Sequence, residues 1–479
     1  MSAVESLPAD RAVDRLPAAR LDERGELKID YRSIAGLALP LMLNSSLQAV
    51  ISLTDTWFVG HISTDAMAGM ASIYWIVIFF IVLFGGVGLA VQTLVAQSQG
   101  SRRLWRAGRA VWVALWGTLL TVPLFAGAAL LASPVIGAVG LEAQVQKLAL
   151  EFWWPRMLGA PIGVALWAML GFFNGISRPR LTLLTTALVA LSNAGLNQLF
   201  IFELEMGMAG AAWATNASML LGLSFALWLF LGGGIRQRYR SHLTWRPDRR
   251  SLLRQFRIGM PMGLLYAADL FGLSLFQLML VRLGAVEGAA TQVVMMLTSL
   301  SYMPGVGIAM AATTLVGMAI GAGDREWARR LGNAVTSMTV AFMGLLGVTI
   351  AVAGPWILPG FMRDGDPNAR AVIELGAPLL WIAAGYQVFD GLNLGSGFSL
   401  RGAGDAAVPA MLALLLSWFG FVPLAHMLAF SAGEGIVDWL PAVGLGAVGG
   451  WIALLAYVAA LGIALYLRWR SGAWQRIRL

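Results

Sequence analysis

Three carboxylates stand inside long apolar stretches: Asp55 in "AVISLTDTWFVGH" (49–61), Asp269 in "LLYAADLFGL" (264–273) and Asp390 in "YQVFDGLN" (386–393). The nearest basic side chains, Arg156 and Arg282, fall toward the ends of their stretches, so the acids read as lacking basic partners. An aspartate near the centre of a membrane helix costs about 2.5–3.5 kcal/mol on insertion scales, so three cost roughly 8–10 kcal/mol before compensation. A proton or a cation can neutralise each carboxylate, and the two exclude one another. Competition of a proton or metal ion with a cationic substrate for one acidic site is the physical core of an antiporter.

The elements that must position these acids follow from composition. Of 479 residues 58% are hydrophobic and 12% charged, too apolar for a soluble multi-domain protein. With no Cys and three scattered His (His61, His242, His426), thiolate metal sites, disulfides and Cys nucleophiles are excluded and metalloenzyme chemistry is not expected. Serine chemistry fares no better, because Ser396 in "LGSGF" follows Leu394 where an intramembrane G-x-S-G site needs Gly, and His426 is its one candidate base. No enzyme activity and no cofactor beyond a coupling ion, Na+ or H+, is expected.

From Ile34 onward about twelve apolar spans follow, near 36–59, 69–98, 108–131, 152–174, 181–202, 208–232, 258–281, 289–320, 332–354, 374–400, 407–430 and 443–467. Their length and lack of two-residue alternation predict helices rather than barrel strands. Loops after even-numbered spans are rich in Arg, as in "SRRLWRAGR" (101–109) and "RGAGD" (401–405); loops after odd-numbered spans are acidic, as in "RDGDPN" (363–368). By the positive-inside rule both termini are cytoplasmic, and the net charge of +8 reads as a topology signal rather than a nucleic-acid footprint.

The basic segment 234–257 divides the spans six and six, and the halves repeat. "GLALPLML" with Pro40 answers "RIGMPMGL" with Pro261, and "GVGLAVQTLV" (86–95) answers "GVGIAMAATTLV" (305–316). The expected fold is all-α and polytopic, two pseudo-symmetric six-helix lobes about a central cleft. The expected parts are a polar tail (1–32), a first lobe (33–233), a basic linker (234–257), a second lobe (258–467) and a basic tail (468–479).

At these residues the chain resembles the multidrug and toxic compound extrusion (MATE) transporters, and the NorM-like branch more than the DinF-like. The resemblance rests on Pro40 with "DTWFVG", "SNAGLNQLF" (192–200), "GMAGAAWATNAS" (207–218), "FFNGISRPRLTLL" (172–184) with its mate "FSLRGAGDAAVP" (398–409), "GMPMGLLYAAD" (259–269) and "YQVFDGLN". It implies a first-lobe polar site of Asp55, Asn193, Asn197 and Thr215, and a second-lobe cation site of Asp269, Tyr386 and Asp390 that could take Na+. Two departures stand out. Asp269 replaces the Glu of many NorM-like members, shortening its reach by about 1.5 Å, and Asn197 replaces the Asp of some branches. Pro40 and Pro261 are expected to let their helices bend. The implied function is Na+- or H+-coupled antiport of lipophilic organic cations by a monomer in the bacterial inner membrane, its partners being small cationic substrates and lipids. The alternative, a lipid-linked oligosaccharide flippase, needs several Arg or Lys along the cleft, and the sequence places an acidic, Arg-free interior there.

Overall fold

The computed structural model describes residues 13, 15–139, 142–361, 368–433, 435 and 440–477; the side chains of Thr64, Ala138, Val139 and Asp269 lie outside the description. Twelve helices in the described residues are long and apolar enough to cross a membrane. They are α1 (Tyr31–Gly60), α2 (Thr64–Leu89, resuming at Val91–Gly100), α3 (Leu104–Leu130), α4 (Ala143–Gly175), α5 (Pro179–Asn197), α6 (Gly207–Leu231), α7 (Arg249–Leu283), α8 (Ala285–Ala322), α9 (Arg325–Ile357), α10 (Ala369–Ala403), α11 (Ala407–Leu415, resuming at Val422–Ala429) and α12 (Gly446–Arg470). Each coincides with one expected span. Most run past it because capped polar turns extend the apolar stretch: Asp248 caps α7 through the Arg250 and Ser251 amides, and Asp324 caps α9 through the Trp327 amide at 2.8 Å. Gly323 and Gly404, at φ of 90° and 86°, end α8 and α10 in the left-handed conformation that glycine adopts without strain.

The duplication shows in the irregularities as well as in the helices. The helices α5 and α11, which are repeat mates, both pass into a π turn, at Gln198–Glu203 and Leu416–Phe421. Pro40 and Pro261 sit inside α1 and α7, each depriving the carbonyl four residues earlier of its helical partner.

The lobes meet along α1 with α8 and α2 with α7 and α8. Glycine allows the contact. A Cβ on Gly86 would lie 2.1 Å from the Gly259 carbonyl oxygen, and one on Gly100 would lie 1.9 Å from the Met318 oxygen. Side-chain amides and hydroxyls then bond across the seam: Gln92 Nε2 to the Met310 carbonyl (3.1 Å), Thr93 Oγ1 to the Arg401 carbonyl (3.0 Å), Gln97 Nε2 to the Gly402 carbonyl (3.0 Å) and Gln255 Nε2 to the Val87 carbonyl (3.2 Å). These bonds gather toward the end of the seam that carries the 234–248 segment and the last turn of α12, the basic face, where α2 touches α7 and α8.

Two corrections concern that face. The residues ahead of α1 are more than a polar tail, because β1 (Ala19–Leu21) pairs antiparallel with β2 (Leu27–Ile29), and Leu16 is buried against the second lobe's core. Trp327 of α9 donates its indole N–H to the Pro17 carbonyl at 2.9 Å, so the chain leading into the first lobe is strapped to the second. Trp327→Phe keeps a six-membered ring but loses that bond, worth about 1 kcal/mol, together with some packing of the buried indole; trypsin should then cut at Arg20, Arg24 or Lys28 at least about fivefold faster than in the unchanged protein. Likewise "RGAGD" is a loop only in its second half: Arg401 is buried in the last turn of α10, which runs to Ala403, and buried Asp405 beyond it pairs with Arg468 at 2.9 Å.

Candidate functional site

The first-lobe residues come together from three helices. Asp55, on the half of α1 farther from the basic face, accepts from Asn197 Nδ2 at 2.8 Å through Oδ1, and its Oδ2 lies 3.4 Å from the Thr215 hydroxyl of α6. Asn193 and Asn197 stand four apart on α5 and so share a face; the Asn193 Oδ1 is 3.3 Å from the same Asn197 nitrogen. Both asparagines are fully buried. The π turn begins directly after Asn197, and such turns re-aim the carbonyls of the preceding helix.

The first-lobe acid is not without a basic neighbour. Arg156 lies well within α4 rather than near its end, is 8% exposed, and interacts electrostatically with Asp55. Its Nη1 donates to Asn216 Oδ1 at 3.2 Å, while Asn216 Nδ2 donates to the Pro155 carbonyl at 2.6 Å. Adjacent residues of α6, Thr215 and Asn216, thus face the carboxylate and the guanidinium respectively. Gly159 leaves the room, since a Cβ there would lie 2.0 Å from the Asn216 amide. Sequence reasoning missed this pair because a span limit drawn at 152 put Arg156 near water; "ATNAS", with a second amide beside Thr215, was the available signal.

In the second lobe Asp390 is 3% exposed on α10, and its Oδ1 accepts from Asn393 Nδ2 at 3.2 Å. Tyr386 stands one turn earlier on the same helix, half-buried. Between them Gln387 donates to the Thr298 carbonyl of α8 at 2.9 Å. Asp269 belongs to α7, about two turns past Pro261, whereas Asp55 lies about four turns past Pro40, so the two acids occupy repeat-mate helices at different depths. The Asp269 side chain is outside the described residues. Among those residues no three His, Asp or Glu side chains gather as a metal site.

Between the lobes lies a cavity of about 250 Å³ lined by amides (Asn44, Gln48, Gln92, Asn174), apolar and aromatic side chains, Tyr266 and Arg401. Among the described residues its lining holds Arg401 and no carboxylate, which corrects the expectation of an Arg-free interior.

The MatE family model matches residues 40–199 and 261–425, once in each half, and the two matches open on the paired prolines Pro40 and Pro261. The chain belongs to the MatE family. It is 28% identical over 461 residues to the probable multidrug resistance protein NorM of Rhizobium meliloti (92% of each chain) and 31% identical over 452 residues to that of Bradyrhizobium diazoefficiens (91% and 92%). The multidrug resistance protein NorM of Burkholderia vietnamiensis is 30% identical over 458 residues (91% and 92%). Among solved structures, a MATE protein in its straight conformation superposes with a TM-score of 0.78 at 21% identity, covering 93% of this chain and 96% of the other. An outward-facing multidrug resistance MATE transporter superposes at 0.77 and 19% identity (93% and 96%). The protein is therefore a multi-pass membrane protein of two six-helix lobes.

Proposed function

We propose that the chain is a multidrug efflux transporter that exchanges H+ or Na+ for lipophilic organic cations by alternating access, in the bacterial inner membrane with the basic face toward the cytoplasm. The observation that carries the reading is the Asp55 cluster: a carboxylate within a transmembrane helix, held by an amide at 2.8 Å from a second helix and near a hydroxyl of a third. An ionised carboxylate accepts from Asn197 and Thr215; a protonated one donates its own O–H, so adding a proton changes which groups must pair. Such a change alters the packing of α1 against α5 and α6, and α1 is also a seam helix against α8. Proton or ion binding in one lobe and lobe separation are thus joined by one element.

In such a cycle the cavity between the lobes is exposed to one side of the membrane at a time. Ions then enter from outside and release a substrate there, and the return step exposes the cavity to the cytoplasm. The apolar and aromatic lining suits lipophilic ligands of varied shape. The protein acts as a monomer among lipids, with small molecules rather than nucleic acid as partners, and makes and breaks no covalent bond. The flippase alternative is weaker, because the described lining of this cavity offers a single Arg where a pyrophosphate needs several.

The second lobe contributes its own cation site at Asp390 with Asp269 and Tyr386, and Na+, which prefers oxygen ligands, fits that donor set as well as H+ does. Asp390→Asn is expected to cut ethidium efflux at least tenfold while leaving expression and detergent stability unchanged, because Asn keeps the shape and the Asn393 contact. Retained efflux would remove this site from the mechanism.

Orientation has a direct test in a chain without native Cys. A Cys replacing exposed Glu203 should react with an impermeant maleimide in intact cells, and one replacing exposed Gln237 should react only after lysis. Reversed labelling would overturn the orientation. Ethidium efflux from proteoliposomes under an imposed ion gradient tests the function itself, and absence of efflux under any gradient would sink it.

A further inference from the structure

We propose that Arg401 is a specificity-determining residue that binds the carboxylate of a zwitterionic or acidic amphiphile in the cavity between the lobes. The proposal rests on the efflux reading above and names a subsite within it. Arg401 is 9% exposed, lines the cavity and carries the positive charge of its wall. Two of its five donors are used: Nη2 donates to the Leu89 carbonyl at 2.9 Å, where α2 breaks, and Nη1 to the Tyr266 hydroxyl at 3.3 Å. Its Nε–H has no hydrogen-bond partner among the described residues, and the ring of Phe398 lies 5.2 Å beneath the guanidinium. No described carboxylate pairs with it, since Asp405, nearby in sequence, pairs with Arg468 instead.

A purely structural role does not account for the charge. Three neighbours perform the same task of bonding a carbonyl across the seam, and all three are neutral glutamines: Gln92 to Met310, Gln97 to Gly402 and Gln255 to Val87. A buried guanidinium that pairs with no described carboxylate is more costly than such an amide. A position that needed only the Leu89 carbonyl would be served by Gln. What the guanidinium adds is a planar fork of further donors, the group that fits a carboxylate through two parallel bonds. The setting completes the site: Asn44 and Gln48, one turn apart on α1, and Gln92 bring uncharged amides to the same cavity, and Trp167, Met310 and Phe398 supply apolar wall. A carboxylate on an aromatic ring therefore finds its counter-charge at Arg401, while the delocalised cation of the same molecule lies away from it.

Two dyes separate this proposal from the reading beneath it. Rhodamine 110 carries a delocalised cation and a free carboxylate; rhodamine 123 is its methyl ester and a plain cation. Binding to the purified protein is measured by fluorescence anisotropy. The unchanged protein should bind the acid about tenfold more tightly than the ester, as a charge-assisted hydrogen bond implies. Arg401→Gln should bring the two within twofold of each other, chiefly by weakening the acid, and Arg401→Lys should keep an intermediate preference. Equal affinities in the unchanged protein, or a parallel loss of both dyes in both variants, would overturn the subsite while leaving cation efflux standing. Failure of the acid to bind where the ester binds would overturn the subsite alone, and failure of both dyes to bind the unchanged protein would count against the efflux reading as well.

Discussion

Asp55→Asn should abolish ion-driven efflux, to below about 1% of the normal rate, while the protein still folds, inserts and binds ethidium. The substitution preserves the local geometry: Asn197 Nδ2 can still donate to the side-chain oxygen at position 55. Thr215 can turn its one hydroxyl hydrogen to the Ala211 carbonyl, 3.0 Å away, and accept from the new amide through a lone pair. What is lost is titration. A ligand shifts a conformational equilibrium only by its differential affinity for the two states, and a side chain that cannot gain or lose a proton has none to offer. Binding without turnover is the expected signature. Should this variant pump at the normal rate under a pH gradient, Asp55 is a structural polar group only.

A bulky side chain at the seam should be as damaging by a different route. At Gly321 a Cβ would lie 2.1 Å from the Gln97 carbonyl oxygen, across the lobe boundary, and backbone on the far side cannot move aside as a flexible side chain could. Gly321→Leu should therefore keep the lobes from meeting at the basic face and abolish efflux. A Cys replacing Thr93, which is fully buried in the seam, reports the change. In inverted vesicles it should be inert to maleimide when Gly321 is present and react at least tenfold faster in the Leu variant. Unchanged reactivity together with unchanged efflux would show that the seam tolerates the wedge and that its closure is not part of the cycle.

The sequence made the helices legible because membrane spans are written in runs of apolar residues, and Arg-rich and acidic loops gave a second, independent alternation. The Asp55 cluster was partly legible for a related reason: Asn193 and Asn197 are one turn apart, and a buried acid needs donors. Other features depend on distances between segments that are remote in the chain. The pairing of Arg156 with Asn216 joins α4 to α6, and the glutamine bonds of the seam join α2 and α7 to the opposite lobe. Arg401 was misplaced because an Arg beside Gly and Asp reads as loop, although the helix runs on to Ala403. The strap of residues 15–30 was hidden by its charged composition, its few apolar anchors, Leu16 among them, being too sparse to signal burial.

The most direct test of ion-coupled efflux uses proteoliposomes in which Na+ and pH gradients are imposed separately, with ethidium movement followed by fluorescence. The unchanged protein should move ethidium against its gradient under at least one of the two, and Asp55→Asn should bind the dye yet move none. Ethidium that only equilibrates, at a rate indifferent to both gradients and to Asp55→Asn, would contradict the mechanism.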